Sequence, residues 1–225
     1  MSEHIDVDLA ELRAALAEAA RIEDLAERSL EVVAVVEAAG APLGIHPVVV
    51  GGMAVYFWTA DEAFVTRDID VLMAVPERLA AALAQLGFEM SRDGRHWHLA
   101  GTDIFLEAPG ADLDRDALVT EVTLQSGRTA RILSRADILL DRLDEFQATG
   151  HLGVAQQVIV LLKNLSADQS ADLRARAAQR RVGHALDAMV ALAAEIDSGR
   201  ALPASDALHR IARAAMCAEY TPRQA

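Results

Sequence analysis

Lysine is almost missing from this chain. Lys163 is the only one, set against many arginines and abundant alanine, a bias that reads as GC-rich codon usage and not as chemistry. Cysteine is as scarce. Cys217 stands alone, which excludes a disulfide within the chain and a cysteine-built zinc site. Aromatics make up only 4% of residues. No apolar run is long enough to cross a bilayer, and the start, "MSEHIDVDLAELRAAL", is acidic and polar where a signal peptide would be basic and then apolar. The expectation is a soluble, cytoplasmic protein with no membrane partner. Positive charge is short too. The formal net charge is −13, so the surface repels phosphate backbones and no DNA partner is expected. The one basic cluster, "RARAAQRR" with Arg174, Arg176, Arg180 and Arg181, could form a local patch, but it reads first as a solvated helix face. What the chain does have is apolar material. At 225 residues and 52% hydrophobic it can build a core for one domain with appendages, or for two small domains.

The pattern along the chain divides it in three. Residues 7–20 and 23–39 carry apolar residues at helical spacing, as two helices or one that bends near Arg21, and Gly40 and Pro42 stop them. From residue 41 the signal changes. "HPVVVGG" reads as a short buried strand ending in a tight turn, "MAVYFWTA" as a helix and "DIDVLMAV" as a second strand. Pro76 opens an amphipathic helix, "PERLAAALAQLGF". "HWHLAGTDIFLEAP" reads as a hairpin turned near Gly101, and "EVTLQSGRTARIL" as another turned at Ser126-Gly127. After Leu133 strand signals vanish. "SRADILLDRLDEF", with Ser134 as N-cap and Asp137 at the third helical position, begins a run of helices. The expected fold class is α/β (α+β), a small mixed sheet flanked by helices. Its expected parts are N-terminal helices over 1–40, a sheet core over 41–133 and a C-terminal helical region over 134–225.

Within "VTRDIDVLM" two acids interrupt an apolar run. On a strand Asp68 and Asp70 share one face, about 7 Å apart at the backbone, while Ile69 and Val71 turn to the other. Two carboxylates this close repel unless a positive charge lies between them. A hard divalent cation such as magnesium supplies it, taking oxygen ligands from one or two carboxylates and from substrate phosphates. Arg67 or a helix N-terminus could also neutralise the pair. Upstream, "VVVGGMAV" sets Gly51 and Gly52 between a strand and a helix, where backbone N–H groups can approach a phosphate and the helix N-terminus favours an anion. A phosphate cradle and a metal clamp in one place describe a site for a nucleoside triphosphate with magnesium.

These two stretches, "VVVGGMAV" and "TRDIDVLM", resemble the signature of the nucleotidyltransferase superfamily, the fold of DNA polymerase beta. "PERLAAALAQLGF", "GRHWH", "DIFLEAPG" and "ILSRADILLDRLDEF" are similar to a subgroup of small prokaryotic nucleotidyltransferase-like proteins. That subgroup is distantly similar to the toxin components of abortive-infection toxin–antitoxin pairs. The resemblance covers roughly residues 46 to 162. It implies a nucleotidyltransferase-like fold and a metal-dependent transfer of a nucleoside monophosphate from an NTP, ATP among them, to an acceptor hydroxyl. Two metal ions, magnesium or manganese in its place, would be bound by three acids. Asp68 and Asp70 would hold the triphosphate-bound metal, and Gly51 and Gly52 the phosphates. The third acid is Glu107, in the acid-before-proline form of the subgroup, or Asp103, in the commoner superfamily form; Glu107 is favoured for the metal. Four apart on one strand, the two would share a face.

Other residues carry two readings each. Thr66 and Arg67 precede the acids and could touch a phosphate; Arg67 could equally be a structural counter-ion. Arg142 stands where the subgroup often carries a basic residue, for the triphosphate or for an ion pair with Asp141 or Glu145. His96 and His98 share a strand face with no third ligand nearby, so a zinc site is not expected. The acceptor is left open among small molecule, protein and RNA, and a toxin-like role would bring a partner protein. The competing expectation is a catalytically inactive nucleotidyltransferase-fold module that binds nucleotide or protein.

Overall fold

The computed structural model describes residues 8–64 and 66–220; Val7, the first residue of the expected N-terminal helix, lies outside them. The chain forms two compact units that divide between Ser134 and Arg135.

The first unit opens with two separate helices, α1 (Leu9–Ala19) and α2 (Leu25–Gly40). Asp8 and Asp24 cap them, Asp8 accepting two backbone N–H groups of the first turn and Asp24 one with its carboxylate, which satisfies donors the helix itself cannot. The new cap at Asp24 makes two helices of what could have been one bent helix. α2 is buried on nearly every side from Ser29 to Val36. Even Glu31 is only 6% exposed, and its carboxylate accepts hydrogen bonds from the Ser126 hydroxyl, at 2.7 Å, and from the Ser126 backbone N–H.

Next come β1 (Val48–Val49), α3 (Gly51–Thr59), β2 (Asp68–Leu72), α4 (Glu77–Leu86), β3 (Phe88–Met90), β4 (His96–Leu99), β5 (Phe105–Gly110), β6 (Val119–Thr123) and β7 (Thr129–Leu133). The strands form one seven-stranded mixed sheet in the order β3-β4-β5-β2-β1-β7-β6. β2 runs parallel to β5, and β1 parallel to β7; the other pairs are antiparallel. The fold class is thus mixed α/β. Pro76 is the N-cap of α4 rather than a member of its first turn. β3 was not legible as a strand: three residues are too short for an alternation to register, and pairing with β4 is what makes it one. α2 packs on β7 and on α4, α4 on β3, and α3 on β2. Val49, Ile69, Val71, Trp97, Leu106 and Ile132 are all at most 2% exposed, and register sets them on one face of the sheet.

The second unit is helical: α5 (Arg135–Thr149), α6 (Leu152–Leu162), α7 (Ala167–Gln179), α8 (Gly183–Asp197) and α9 (Ser205–Tyr220). Ser166 and Gln169 form a reciprocal capping box at the start of α7. The arginine cluster is largely engaged within this unit. Arg176 pairs with the buried Asp137 of α5, Arg180 approaches Asp144 at 3.9 Å, and Arg181 lies 5.6 Å over the Tyr220 ring. It is therefore not an open basic patch. No described helix is long and apolar enough to cross a membrane.

Candidate active site

The site is built on the face of the sheet opposite Ile69 and Leu106. β2 begins at Asp68, and its residues alternate between outward acids and buried aliphatics: Asp68 is exposed, Asp70 half-buried, Ile69 and Val71 buried. Because β2 and β5 are parallel and in register, Phe105 stands beside Asp68 and Glu107 beside Asp70. β4 continues both rows, with His98 next to Phe105 and His96 next to Glu107; Glu89 of β3 follows His98. Neighbouring strands lie about 4.8 Å apart, so each row is contiguous at side-chain scale. His98 and Phe105 stack with ring centroids 4.7 Å apart, while Phe105 remains 41% exposed.

The register shifts just after Glu107, between Asp70 and Leu72. Pro109 lies in the displaced stretch. Proline has no N–H to give the ladder, and the bulge absorbs it, with the Met73 N–H donating to the Gly110 carbonyl at 3.0 Å.

Gly51 and Gly52 are the first two residues of α3, and Asp70 of β2 reaches this helix start. A Cβ on Gly51 would collide with the Asp70 carboxylate, and one on Gly52 would lie 3.3 Å from the Thr66 methyl. Thr66 Oγ1 accepts from the Asp68 N–H at 3.2 Å, which shapes the chain into β2. Arg67 is exposed and makes no ion pair among the described residues.

Asp103 and Glu107 do not share a strand, contrary to expectation. β5 begins at Phe105, and Asp103 lies in the bend before it. There the Arg28 guanidinium grips it through two nitrogens, each 3.3 Å from a carboxylate oxygen. Thr102 ends the strand reading early: its hydroxyl donates to the Leu99 carbonyl and accepts from the Ile104 N–H, forming a turn where an extended chain was expected. Arg142 belongs to the second unit, held between Asp141, at 3.1 Å from its Nε, and Glu145, at 2.7 Å.

Sequence reasoning missed Arg95. Its guanidinium donates to Glu107 Oε1 at 3.0 Å, and His96 Nε2 lies 3.4 Å from Glu107 Oε2. The pairing register of the hairpin about Gly101 was the available signal, since it sets His96 opposite Glu107. Asp93 organises this turn, accepting from the Arg95 and His96 N–H groups at 2.9 and 3.2 Å and bonding His96 Nδ1 at 2.6 Å. The Ser91 hydroxyl first, then these backbone donors, hold the Asp93 carboxyl well below the usual carboxylate range. In return the Asp93 hydrogen bond raises His96, with the charges of Asp93 and Glu107 adding to it. The sign follows: His96 binds its proton more tightly folded than unfolded. Its stabilising contribution is therefore complete below the ordinary value of 6.5 and fades as pH rises through the raised one. In an NMR titration of the His96 ring, the midpoint should lie above 6.5 and fall in Asp93→Asn.

A divalent cation with a triphosphate matches this donor set in kind. Three hard carboxylates, Asp68, Asp70 and Glu107, face one way, and the Asp70 carboxylate takes the space that a side chain on Gly51 at the helix N-terminus would need. The side chains are not gathered, however. Among the described residues no three His, Cys, Asp or Glu groups are close enough together to enclose an ion. Both Glu107 oxygens are turned to Arg95 and His96.

No protein-family model matches the chain, and neither does any curated protein. Similar solved structures exist. An antigenic nucleotidyltransferase-like protein from Paracoccidioides brasiliensis has TM-score 0.49 and 21% identity over 73% of this chain and 93% of its own. The antibiotic-resistance factor ANT(2'')-Ia in solution has TM-score 0.43 and 20% identity over 64% of this chain and 88% of its own. ANT(2'')-Ia in complex with adenylyl-2''-tobramycin has TM-score 0.44 and 19% identity over 64% and 94%.

Proposed function

We propose that this protein is a metal-dependent nucleotidyltransferase, moving a nucleoside monophosphate from a nucleoside triphosphate to an acceptor hydroxyl. The observation that carries the reading is the register of β2 against β5, with Glu107 beside Asp70, Asp68 on the same face, and the Gly51–Gly52 helix start against Asp70. That sets three carboxylates along one face of the sheet, with the start of α3 packed directly against one of them. Chance apolar patterning has no reason to bring them together.

In this reading Asp68 and Asp70 hold the triphosphate-bound magnesium, and Gly51 and Gly52 receive the phosphates with their N–H groups, Thr66 and Arg67 flanking them. The ion, when bound, supplies charge that lowers the pKa of the acceptor hydroxyl and stabilises pyrophosphate as it leaves. Glu107 would share in holding the metal and help activate the acceptor hydroxyl, whose proton passes to its carboxylate. The hydroxyl oxygen forms a bond to the α-phosphorus, and the bond from that phosphorus to the bridging oxygen breaks, releasing pyrophosphate. Asp103 lies before β5, outside the row in which register sets Glu107 beside Asp70, which favours Glu107 as third acid.

The test is calorimetric titration of ATP, GTP, CTP and UTP with magnesium, wild type against Asp68→Ala/Asp70→Ala. Binding should need both metal and acids, with affinity falling by about tenfold or more, about 1.4 kcal/mol, in the double variant. Glu107→Gln should weaken metal-dependent binding where Asp103→Asn does not. If none of the four nucleotides binds, the transferase reading is wrong, and a protein-binding module on the same fold replaces it.

A further inference from the structure

Glu107 is neutralised from within its own sheet. Arg95 Nη2 sits 3.0 Å from one carboxylate oxygen and His96 Nε2 3.4 Å from the other, so neither oxygen faces Asp70 unattended. The arrangement is built by the turn between β3 and β4. Asp93 fixes the backbone of Arg95 and His96 and, through His96 Nδ1, aims the other ring nitrogen at Glu107. The Ala108 N–H, next to Glu107 on β5, donates to the Arg95 carbonyl at 2.9 Å. Strand pairing thus holds the base of Arg95 beside Glu107, while its side chain stays 53% exposed.

We propose that Arg95 is a positioning residue acting through Glu107: an internal cation that occupies the third carboxylate and must be displaced before that carboxylate turns to a divalent metal beside Asp70. This rests on the reading of the acids as a metal site. It gives the missing three-group cluster a cause, and it sets an order. Metal alone competes with a resident guanidinium and is held weakly. Metal that arrives on a triphosphate has Asp68, Asp70 and the phosphates already engaged, and it displaces Arg95 more readily. An arginine suits the task, because it stays charged at every working pH and a half-exposed ion pair costs little to break.

The experiment is titration of the nucleotide-free protein with Mn2+, followed by electron paramagnetic resonance. Arg95→Ala should bind Mn2+ about two- to fivefold more tightly than wild type, in keeping with a partly exposed pair. Arg95→Lys, which keeps the charge, should return most of the way to wild type. In a Glu107→Gln background Arg95→Ala should shift nothing. A merely structural arginine would lower the melting temperature without tightening metal binding, so an unchanged or weaker Mn2+ affinity in Arg95→Ala overturns the proposal. The two failures are separable. If Asp68→Asn weakens Mn2+ binding while Arg95→Ala leaves it alone, the Arg95 proposal falls by itself. If wild type binds no Mn2+ and Arg95→Ala does not restore it, the metal reading of the acids falls and takes the Arg95 proposal with it.

Discussion

Asp70→Asn should lower nucleotidyl transfer by about a thousandfold or more while leaving the fold standing. The size follows from the kind of group lost: one preorganised electrostatic contact in an active site is worth about 100- to 1,000-fold in turnover, and Asp70 would serve metal and phosphate together. Asparagine keeps the shape, so the Gly51 backbone that lies against residue 70 meets nothing new. Removing the charge at the start of α3 takes away what a carboxylate near a helix N-terminus contributes, about 0.3–1 kcal/mol. For a chain of this size that is a melting-point shift of a few degrees, about 2–4 °C per kcal/mol. The measurement is transfer of labelled nucleotide to acceptor, set beside a thermal melt. Lost turnover with a nearly unchanged melt is the expected pair. A large drop in melting temperature with proportionate loss of activity would mean that Asp70 is a structural acid.

Different parts of the molecule were legible to different depths. Alternation over "DIDVL" gave β2 and the shared face of its acids, because a strand with one buried side leaves a period-two record. The hairpins about Gly101 and Ser126-Gly127 were legible from their turns. β3 left no such record, being defined by a partner and not by its own pattern. Asp103 misled for a related reason. "TDIFLEAP" reads as one extended run, but the Thr102 hydroxyl bends the chain before Phe105, and Arg28, distant in sequence, takes the acid. Arg95 escaped because its partner is found only through the register of β4 on β5. Side chains that meet across strands are written in the pairing, and periodicity along one strand does not reach them.

Gly51→Ala should cost about 2–5 kcal/mol, enough to be seen as a clear fall in the urea midpoint. Two penalties combine. Gly51 has φ +61°, in the left-handed region where an L side chain is disfavoured by about 1–2 kcal/mol. Its Cβ would also collide with the Asp70 carboxylate, lying 2.8 Å from Asp70 Cγ, and overpacking of this kind costs about 1–3 kcal/mol where neighbours cannot move. Rotating the carboxylate away does not relieve the contact fully, because Asp70 Cβ would itself lie 3.0 Å from the added carbon. Gly52→Ala is the control. That residue has no left-handed φ, and its Cβ would press only on the Thr66 methyl at 3.3 Å, so about 1 kcal/mol or less is expected. The pair also separates two reasons for glycine at this helix start. If Gly51 matters through Asp70, the stability loss of Gly51→Ala should shrink sharply in an Asp70→Gly background, leaving the backbone penalty alone. If Gly52 matters through a phosphate, Gly52→Ala should keep its stability and lose nucleotide affinity. Equal and small effects of both substitutions on stability and on binding would mean that the glycines are only a turn, and the contact between α3 and the acids of β2 would have no part in function.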